Sequence, residues 1–218
     1  MKIETFDEVY GEYLENILGQ YRFYNSISDL ETFYEIPDWI KENGYYQGAV
    51  IRFYDLYNNK VYTPFEKEKN VTYTYAKFKN DFFYFLKVDF NKNVIDLIKY
   101  YPEKSLESII QLSLDNINLY NLALEDGYEF HICSSDDKFI SYYPRKFELN
   151  LKEDQSVIYI DKDKIYINEW VEEGIVKDTF TNDYKYYDKL LALDMNGNIL
   201  WERKGNLSQY PNGKWYLT

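Results

Sequence analysis

Acidic and aromatic side chains are concentrated between residues 169 and 188, where they could form a binding or catalytic site. The segment contains Glu169, Trp170, Glu172 and Glu173, followed by Asp178, Asp183, Tyr184, Tyr186, Tyr187 and Asp188. Two carboxylates that flank a bond, with rings that stack on a sugar, would make a glycoside-hydrolysing or sugar-binding site. The same residues would also suit an acidic, aromatic protein interface. A third interpretation is a solvated acidic loop whose rings pack into the core.

The segment is predicted to be a long loop, and long loops in compact domains are often functional. We take the protein interface as the leading hypothesis, because acids accelerate the approach of a basic partner while Trp and Tyr provide desolvated anchors. The predicted contact surface consists of Trp170, Glu172, Glu173, Asp178, Asp183 and Tyr184. A neutralising partner for a basic protein is a special case of this hypothesis.

The only histidine and the only cysteine, His131 and Cys133, stand two residues apart on a predicted strand. Their side chains would share a face at about 7 Å, which is too far for a Cys–His catalytic dyad. We therefore expect Cys133 to be a buried, unreactive thiol. One His and one Cys leave no paired-histidine or multi-cysteine metal site, so neither a metal nor a cofactor is predicted.

Motifs for phosphate or calcium binding are missing from the sequence. Neither Gly-x-x-x-x-Gly-Lys-Ser/Thr nor Gly-x-Gly-x-x-Gly occurs. The segment from Asp194 begins like a calcium loop, but Ile199 replaces the required Gly and Gly205 replaces the bidentate Glu. Asn196-Gly197 is instead typical of a tight hairpin turn. With no catalytic motif, the sequence favours a protein that is not an enzyme.

The charge and composition narrow the possible partners. The chain of 218 residues has a formal net charge of −12 and its basic residues are scattered, which disfavours nucleic acid and anionic membranes as partners. The N-terminus is acidic and no long apolar run occurs, so a cytoplasmic protein is predicted. The 26 tyrosines and the excess of lysine over arginine fit AT-rich codons, and we expect a bacterial source.

Four segments repeat one pattern: a β-rich run, an Asp or Asn turn and a second β-rich run. They cover residues 50–62, 83–95, 128–140 and 190–201, and their turn aspartates are Asp55, Asp89, Asp136 and Asp194. The aspartates are 34, 47 and 58 residues apart, whereas propeller repeats are about 40–50 residues long. We predict a mainly β, antiparallel fold, either a degenerate β-propeller-like array or a meander of repeated hairpins. A β-sandwich and an α+β fold are the alternatives.

One segment resembles a known family. Residues 190–201 run Leu-Leu-Ala-Leu-Asp-Met-Asn-Gly-Asn-Ile-Leu-Trp, and this is similar to the blade repeat of quinoprotein-type β-propellers. The resemblance covers about a dozen residues and implies blade architecture. It does not carry over quinone binding or dehydrogenase activity, because the chain lacks the family's adjacent cysteines.

The first 44 residues are predicted to form an α-rich lead-in packed on a β domain of residues 45–218. Apolar residues at helical spacing predict a helix over residues 6–18, and Pro37 to Gly44 predict a second. Residues 105–124 are predicted to be extended. The expected core consists of Val50, Phe53, Tyr84, Leu86, Val88, Ile95, Phe130, Ile132, Ile158, Ile160, Leu191, Leu193, Ile199 and Trp201.

Three functions remain open. The best supported is a cytoplasmic bacterial protein-interaction module with the acidic, aromatic surface described above. A carbohydrate-binding or glycoside-hydrolysing protein would use the acids and rings of residues 169–188. The third is a structural or accessory domain without a small ligand. Fold class does not separate them, because β folds of these kinds host all three.

Overall fold

The computed structural model describes residues 1–29, 31–177 and 179–218, and the protein is mainly β, with 51% strand and 5% helix. The strands are β1 (Glu15–Asn16), β2 (Phe23–Ile27), β3 (Ile51–Asp55), β4 (Lys60–Tyr62), β5 (Val71–Tyr73), β6 (Lys77–Lys79), β7 (Phe82–Asp89), β8 (Val94–Tyr101), β9 (Ser105–Ser113), β10 (Ala123–Glu125), β11 (His131–Ser135), β12 (Phe139–Tyr143), β13 (Phe147–Leu149), β14 (Gln155–Ile160), β15 (Lys164–Val176), β16 (Thr179–Asp194), β17 (Ile199–Lys204), β18 (Leu207–Gln209) and β19 (Trp215–Leu217). Helix α1 spans Ile36–Asn43, and a short 3-10 helix spans Leu114–Asn116. No helix in the described part of the chain is long and apolar enough to cross a membrane.

Strands that follow one another along the chain pair with one another. Three sheets are meanders of four strands in sequence order: β1 to β4, β10 to β13 and β14 to β17. A further sheet has the order β5-β7-β8-β9 with β6 also on β7, and β18 pairs with β19. Antiparallel pairing joins the successive strands. The predicted mainly β, antiparallel fold of repeated hairpins is confirmed, and four strands in sequence order is also the organisation of a propeller blade.

All four predicted hairpins are present, as β3–β4, β7–β8, β11–β12 and β16–β17. Three of the turn aspartates shape their turns in the same way, because the carboxylate accepts the backbone N–H two residues further on. The acceptors are Asp55, Asp89 and Asp194, and the N···O distances are 3.0, 3.0 and 2.9 Å. This side-chain mimicry of a backbone turn explains why Asp recurs at the end of these strands.

The chain divides into two compact units, one of residues 1–124 with 211–214 and one of residues 125–210 with 215–218. In the first unit, aromatic rings from β2, β3, β7 and β8 pack together between two sheets, including Phe23, Phe53, Phe83 and Tyr100. In the second unit the core is mostly aliphatic and contains Cys133, Phe139, Ile165, Ile167 and Leu191. The predicted division at residue 44 stays a prediction.

The helix predicted over residues 6–18 is wrong. This segment is irregular apart from the short strand β1, and Val9 and Tyr13 are exposed rather than buried on a helical face. Tertiary contacts outweigh the helical periodicity: Asp7 accepts the N–H of Val61, and Glu12 pairs with Arg52 at 2.5 Å. The second predicted helix is confirmed as α1, which has Pro37 in its first turn and ends at Gly44 with φ of 82°.

Most of the predicted core is buried, and the exceptions have a common cause. The buried members are Val50, Phe53, Leu86, Val88, Ile95, Phe130, Ile132, Ile160, Leu191 and Leu193. Tyr84 and Ile158 are half-buried, whereas Ile199 and Trp201 are exposed to 59% and 37%. The last two lie on β17, the outer strand of its sheet, where side chains have neighbours on one side only.

Residues 105–124 are extended in β9, but the segment after it begins with the 3-10 helix.

Candidate functional site

The acidic, aromatic segment of residues 169–188 is not a loop. It lies in the paired strands β15 and β16, which form the longest hairpin described in the chain. The neighbouring strands stop early: pairing with β14 ends at Glu169, and pairing with β17 ends at Lys189. Residues 170–188, hereafter the ribbon, therefore extend beyond their sheet as two strands. The loop prediction failed because the acids obscured a run of residues with high β-propensity, namely Val171, Ile175, Val176, Phe180, Tyr184 and Tyr186.

A bulge interrupts the ribbon near its tip. The register shifts between Glu173 and Ile175, and the Thr181 hydroxyl donates to the Gly174 carbonyl at 2.8 Å. Gly174 has φ of 81°, and a Cβ there would lie 2.6 Å from the Tyr184 nitrogen. Only glycine fits this close approach without strain. Bulges bend and twist the strands that carry them, so Gly174 sets the direction in which the tip points.

One face of the ribbon carries a continuous row of exposed aromatic rings. Trp170 stacks on Tyr186, with ring centroids 4.8 Å apart and an interplanar angle of 24°. Tyr184, which is half-buried, continues the row, 6.2 Å from Tyr186 and 4.4 Å from Phe180. The residues Trp170, Tyr186 and Phe180 are 42%, 60% and 64% exposed. A contiguous apolar patch of this kind on a protein surface is typical of an interaction site.

Cross-strand hydrogen bonds hold the acids of the ribbon in place. The Tyr184 hydroxyl donates to Glu172 at 2.5 Å, and this bond raises the pKa of Tyr184. Glu173 accepts hydrogen bonds from Lys185 at 2.7 Å and from the Tyr187 hydroxyl at 2.8 Å. Both bonds lower the pKa of Glu173, and the bond from Lys185 has the larger effect. Glu172 is therefore bound by a neutral donor, whereas Glu173 is bound by the ammonium group of Lys185 as well as by a hydroxyl.

The structure gathers half of the predicted contact surface onto the aromatic face. Trp170, Glu172 and Tyr184 lie together there. Glu173 follows Glu172 directly on a strand, so its side chain points to the opposite face. Asp183 is exposed in the bulged part of β16, and Asp178 lies outside the described residues.

The aromatic face also includes residues that the prediction missed, chiefly Tyr186 and Phe180, with Ile175 and Val176 exposed near the tip. Phe180, Tyr184 and Tyr186 are separated by even numbers of residues in the sequence, which is a strand signal that could have identified them.

The opposite face of the ribbon and of its sheet is a network of ion pairs. Lys189 lies 3.5 Å from both Glu169 and Glu202, and Lys185 bonds to Glu173. Burial raises the pKa of the Glu169 carboxyl. A hydrogen bond from Gln155 and the charges of Lys152 and Lys189 lower this pKa by more than burial raises it, so the net shift is downward. An open cleft of about 380 Å³ on this side is lined by these lysines and glutamates with Tyr187 and β17 residues. Four basic residues and two acids line the cleft, so this face is polar and carries an excess of positive charge, while the other face exposes rings.

This geometry gives less support to the two alternatives for residues 169–188, a carbohydrate site and a solvated loop with its rings in the core. A glycosidase needs two carboxylates that face one bond, whereas Glu172 and Glu173 project from opposite faces and Glu169 is buried in ion pairs. The glycosidase hypothesis stays a prediction. The interpretation that Trp170 packs into the core does not agree with its 42% exposure.

Outside the ribbon, His131 and Cys133 are 4% and 1% exposed. The His131 Nδ1 atom lies 3.0 Å from the Ser141 hydroxyl, and Cys133 packs in the aliphatic core of its unit. The expected burial of the thiol is confirmed, and its inertness to thiol reagents stays a prediction. No group of three or more His, Cys, Asp or Glu in the described part of the chain is placed to hold a metal ion.

Comparisons with known proteins add little to this picture. No family model matches the chain, and neither does any curated protein sequence. Among solved structures, the chain is similar to Kluyveromyces lactis Hsv2 with a complete loop 6CD, at 9% sequence identity and a TM-score of 0.32. The match covers 75% of this chain and 62% of that one, so the chain spans less than two thirds of that protein's length. A likeness this slight carries no argument about fold or function.

Proposed function

We propose that this protein is a cytoplasmic bacterial protein-interaction module that binds a basic protein through the aromatic face of the ribbon and is not an enzyme. The observation that supports the proposal is the exposed Trp170–Tyr186 stack on a two-stranded extension that no other described strand covers. Exposing several rings to water is unfavourable unless a partner buries them.

The arrangement of the rings suits tight binding. Trp and Tyr are the residue types most often found as interface hot spots. Here the rings already pack on one another, and Glu172 holds Tyr184 by a hydrogen bond of 2.5 Å. A partner would therefore meet a surface that is largely ordered in advance, and the entropy lost on binding would be small.

The charge of the ribbon favours a basic partner. The ribbon contains five acids and two lysines, a net charge of −3, on a chain with a net charge of −12. Glu172, which forms no ion pair within the described part of the chain, lies on the aromatic face itself. Opposite charge across an interface chiefly accelerates association and excludes wrong partners, while the rings supply affinity.

The proposal is tested with Trp170→Ala, using Trp39→Ala on helix α1 as the matched control, since the two tryptophans are 42% and 47% exposed. A basic protein captured by the wild type is purified, and its affinity for each variant is measured by calorimetry. Trp170→Ala should weaken binding by about 2 kcal/mol, roughly 30-fold, as loss of an aromatic hot spot does. Trp39→Ala should bind like the wild type.

A second variant tests the role of charge. Glu172→Gln should slow association, and the slowing should shrink as salt screens the charges. Glu42→Gln on α1 is the control at an exposed site away from the ribbon. The proposal is overturned if a folded Trp170→Ala variant binds as tightly as the wild type, or if Trp39→Ala loses as much affinity. A rise in melting temperature with oligosaccharides that Trp170→Ala abolishes would favour the carbohydrate hypothesis instead.

A further inference from the structure

The sheet of strands β1 to β4 carries buried polar groups on the face that points away from the aromatic core. Ser26 on β2 and Arg52 on β3 are directly opposite each other in the register, and Tyr54 follows two residues after Arg52, so the three side chains share one face. Phe53, between them in the chain, points the other way into the core. Ser26 and Tyr54 are 0% and 4% exposed, and the Arg52 side chain is 12% exposed. Polar groups buried in this way need hydrogen-bond partners.

A single carboxylate, that of Glu12, meets all three side chains. One Glu12 oxygen accepts a hydrogen bond from Arg52 Nη1 at 2.5 Å. The other oxygen accepts from the Ser26 hydroxyl and lies 3.5 Å from the Tyr54 hydroxyl. Burial raises the pKa of Tyr54, so its hydroxyl keeps its proton and remains a donor. Three donors from two strands therefore converge on one anion.

Glu12 does not use the whole guanidinium group of Arg52. The Nε atom of Arg52 is buried and has no hydrogen-bond partner among the described residues. Arg22 shows the contrast, because Asp55 accepts from both its Nε and its Nη2 atoms, at 2.8 and 2.6 Å. That two-bond fork is the geometry in which arginine binds carboxylate and phosphate groups most strongly. Glu12 binds Arg52 through Nη1 instead, so the fork of Arg52 is not satisfied.

The carboxylate belongs to a segment that lies on this face of the sheet but buries little of itself. In this segment, residues 6–12, hereafter the strap, five of the seven residues are exposed. The Phe6 ring lies 5.1 Å from the Tyr54 ring, and the Tyr10 ring centroid lies 3.7 Å from Arg52 Cζ. Segments with few buried apolar contacts open at a low cost in free energy. The strap can therefore leave while the sheet beneath it stays folded.

We propose that Ser26, Arg52 and Tyr54 form a binding site for a phosphate group. The strap fills this site with its carboxylate, and a phosphate group displaces it. Both Glu12 oxygens are already used, one on the guanidinium and one on the hydroxyls, so neither is left for the fork. A phosphate monoester has three terminal oxygens, so two can bind the fork while the third binds the hydroxyls. Inorganic phosphate and phosphate esters share this chemistry.

The charge of the chain favours a small phosphate compound over a nucleic acid. A net charge of −12 repels a polyanion over its whole length, whereas a single phosphate group meets the guanidinium alone. A short tether holds the competing carboxylate at an effective concentration in the millimolar range, so we expect half of the straps to be displaced at about 10 mM phosphate. The site lies in the first unit and its test does not involve the ribbon, so this proposal and the proposed function can fail separately.

The test removes the competing carboxylate and measures phosphate binding by calorimetry. Glu12→Ala should bind inorganic phosphate at least about 10-fold more tightly than the wild type, because no tethered anion competes. Glu15→Ala is the matched control, since Glu15 is an exposed acid three residues further along the chain, and this variant should bind phosphate like the wild type. Sodium chloride holds the ionic strength constant, so that general screening does not imitate binding.

Further titrations identify the groups and the ligand. Arg52→Lys in the Glu12→Ala background keeps the positive charge but loses the fork, so its affinity for phosphate should fall about 10-fold. Acetate, which has two oxygens, should bind Glu12→Ala more weakly than phosphate does. Phenyl phosphate distinguishes the two sources: tighter binding than inorganic phosphate assigns the site to an ester, and weaker binding assigns it to the free ion.

Hydrogen exchange follows the strap in the wild type, which keeps the test valid if circular dichroism shows that Glu12→Ala does not fold. The Val61 N–H donates to the Asp7 carboxylate in the strap at 2.8 Å. Phosphate should therefore speed exchange at Val61, whereas chloride at the same ionic strength should not.

Three results overturn the proposal. The first is a strap that stays protected, with no binding detected, at about 100 mM phosphate, well above its expected effective concentration. The second is phosphate binding that Arg52→Lys leaves intact, because the anion then binds elsewhere. The third is acetate binding as tight as that of phosphate, because the third oxygen then contributes nothing.

Discussion

Two of the clusters of aromatic rings on antiparallel strands differ in what covers them. In the first unit, Phe53 lies 5.0 Å from Phe83 and 4.9 Å from Tyr100, between two sheets that leave it 0% exposed. On the ribbon, Trp170 lies 4.8 Å from Tyr186 and is 42% exposed, and no second sheet of its own unit covers it among the described residues. The ring distances are alike, so packing between rings does not distinguish core from surface. The covering layer does, and it decides whether a ring contributes to folding or is available to a partner.

The largest expected effect is that of Phe53→Ala in the covered cluster. Removing a fully buried Phe leaves a cavity among rings fixed by two sheets, and such changes cost about 3–5 kcal/mol. We expect a loss of this size in the free energy of unfolding, measured by urea denaturation. A loss below about 1 kcal/mol would mean that the cluster is loosely packed and that the contrast with the ribbon is false.

A second prediction uses alkaline pH. Burial first, then nearby acids and Tyr62, raise the pKa values of Tyr73 and Tyr100 above the ordinary tyrosine value. Because the pKa of each tyrosine is higher in the folded than in the unfolded state, its contribution to the free energy of unfolding is fully present below about pH 10. As the pH rises further, each tyrosine lowers the free energy of unfolding by up to about 1.4 kcal/mol per pH unit. Urea denaturation at stepped pH should show the decline, and a double Tyr73→Phe, Tyr100→Phe variant should show a smaller decline. An equal decline in that variant would assign the effect to other groups.

The smallest expected effect is that of Phe180→Ala on the ribbon. Phe180 is 64% exposed, and surface substitutions away from special features usually change stability by less than about 0.5 kcal/mol. The free energy of unfolding should therefore stay close to that of the wild type, while binding of a basic partner weakens. A large loss of stability would show that a cover lies over the ribbon rings in solution, and the two clusters would then be of one kind.

The sequence predicted the repeated hairpins because their signals are local. Asp at a strand end followed by Asn or Gly specifies the turn through its own carboxylate, as at Asp194, which accepts the N–H groups of Asn196 and Asn198 at 2.9 Å each. Helix α1 was predictable for the same reason, since Pro and Gly mark its two ends. The prediction of a helix over residues 6–18 was wrong because tertiary contacts of Asp7 and Glu12 hold this segment in another conformation, and no local pattern reveals such contacts.

The ribbon was predictable in composition but not in form. The sequence indicated that acids and rings concentrate there, and Trp170 and Tyr184 do lie on one face. It did not indicate that pairing with β14 ends at Glu169 and pairing with β17 ends at Lys189, because the length of a neighbouring strand is not encoded in the segment itself. That stopping point is what leaves the rings uncovered.

The order of strands within the sheets bears on how the chain folds as it is synthesised. The sheets occupy successive stretches of chain, from Glu15 to Tyr62, Val71 to Ser113, Ala123 to Leu149 and Gln155 to Lys204. Loop closure between adjacent strands is short in each stretch, which favours rapid pairing. We expect the sheets to form one after another as the ribosome releases the chain. The long ribbon hairpin would emerge late and zip from its turn toward its base.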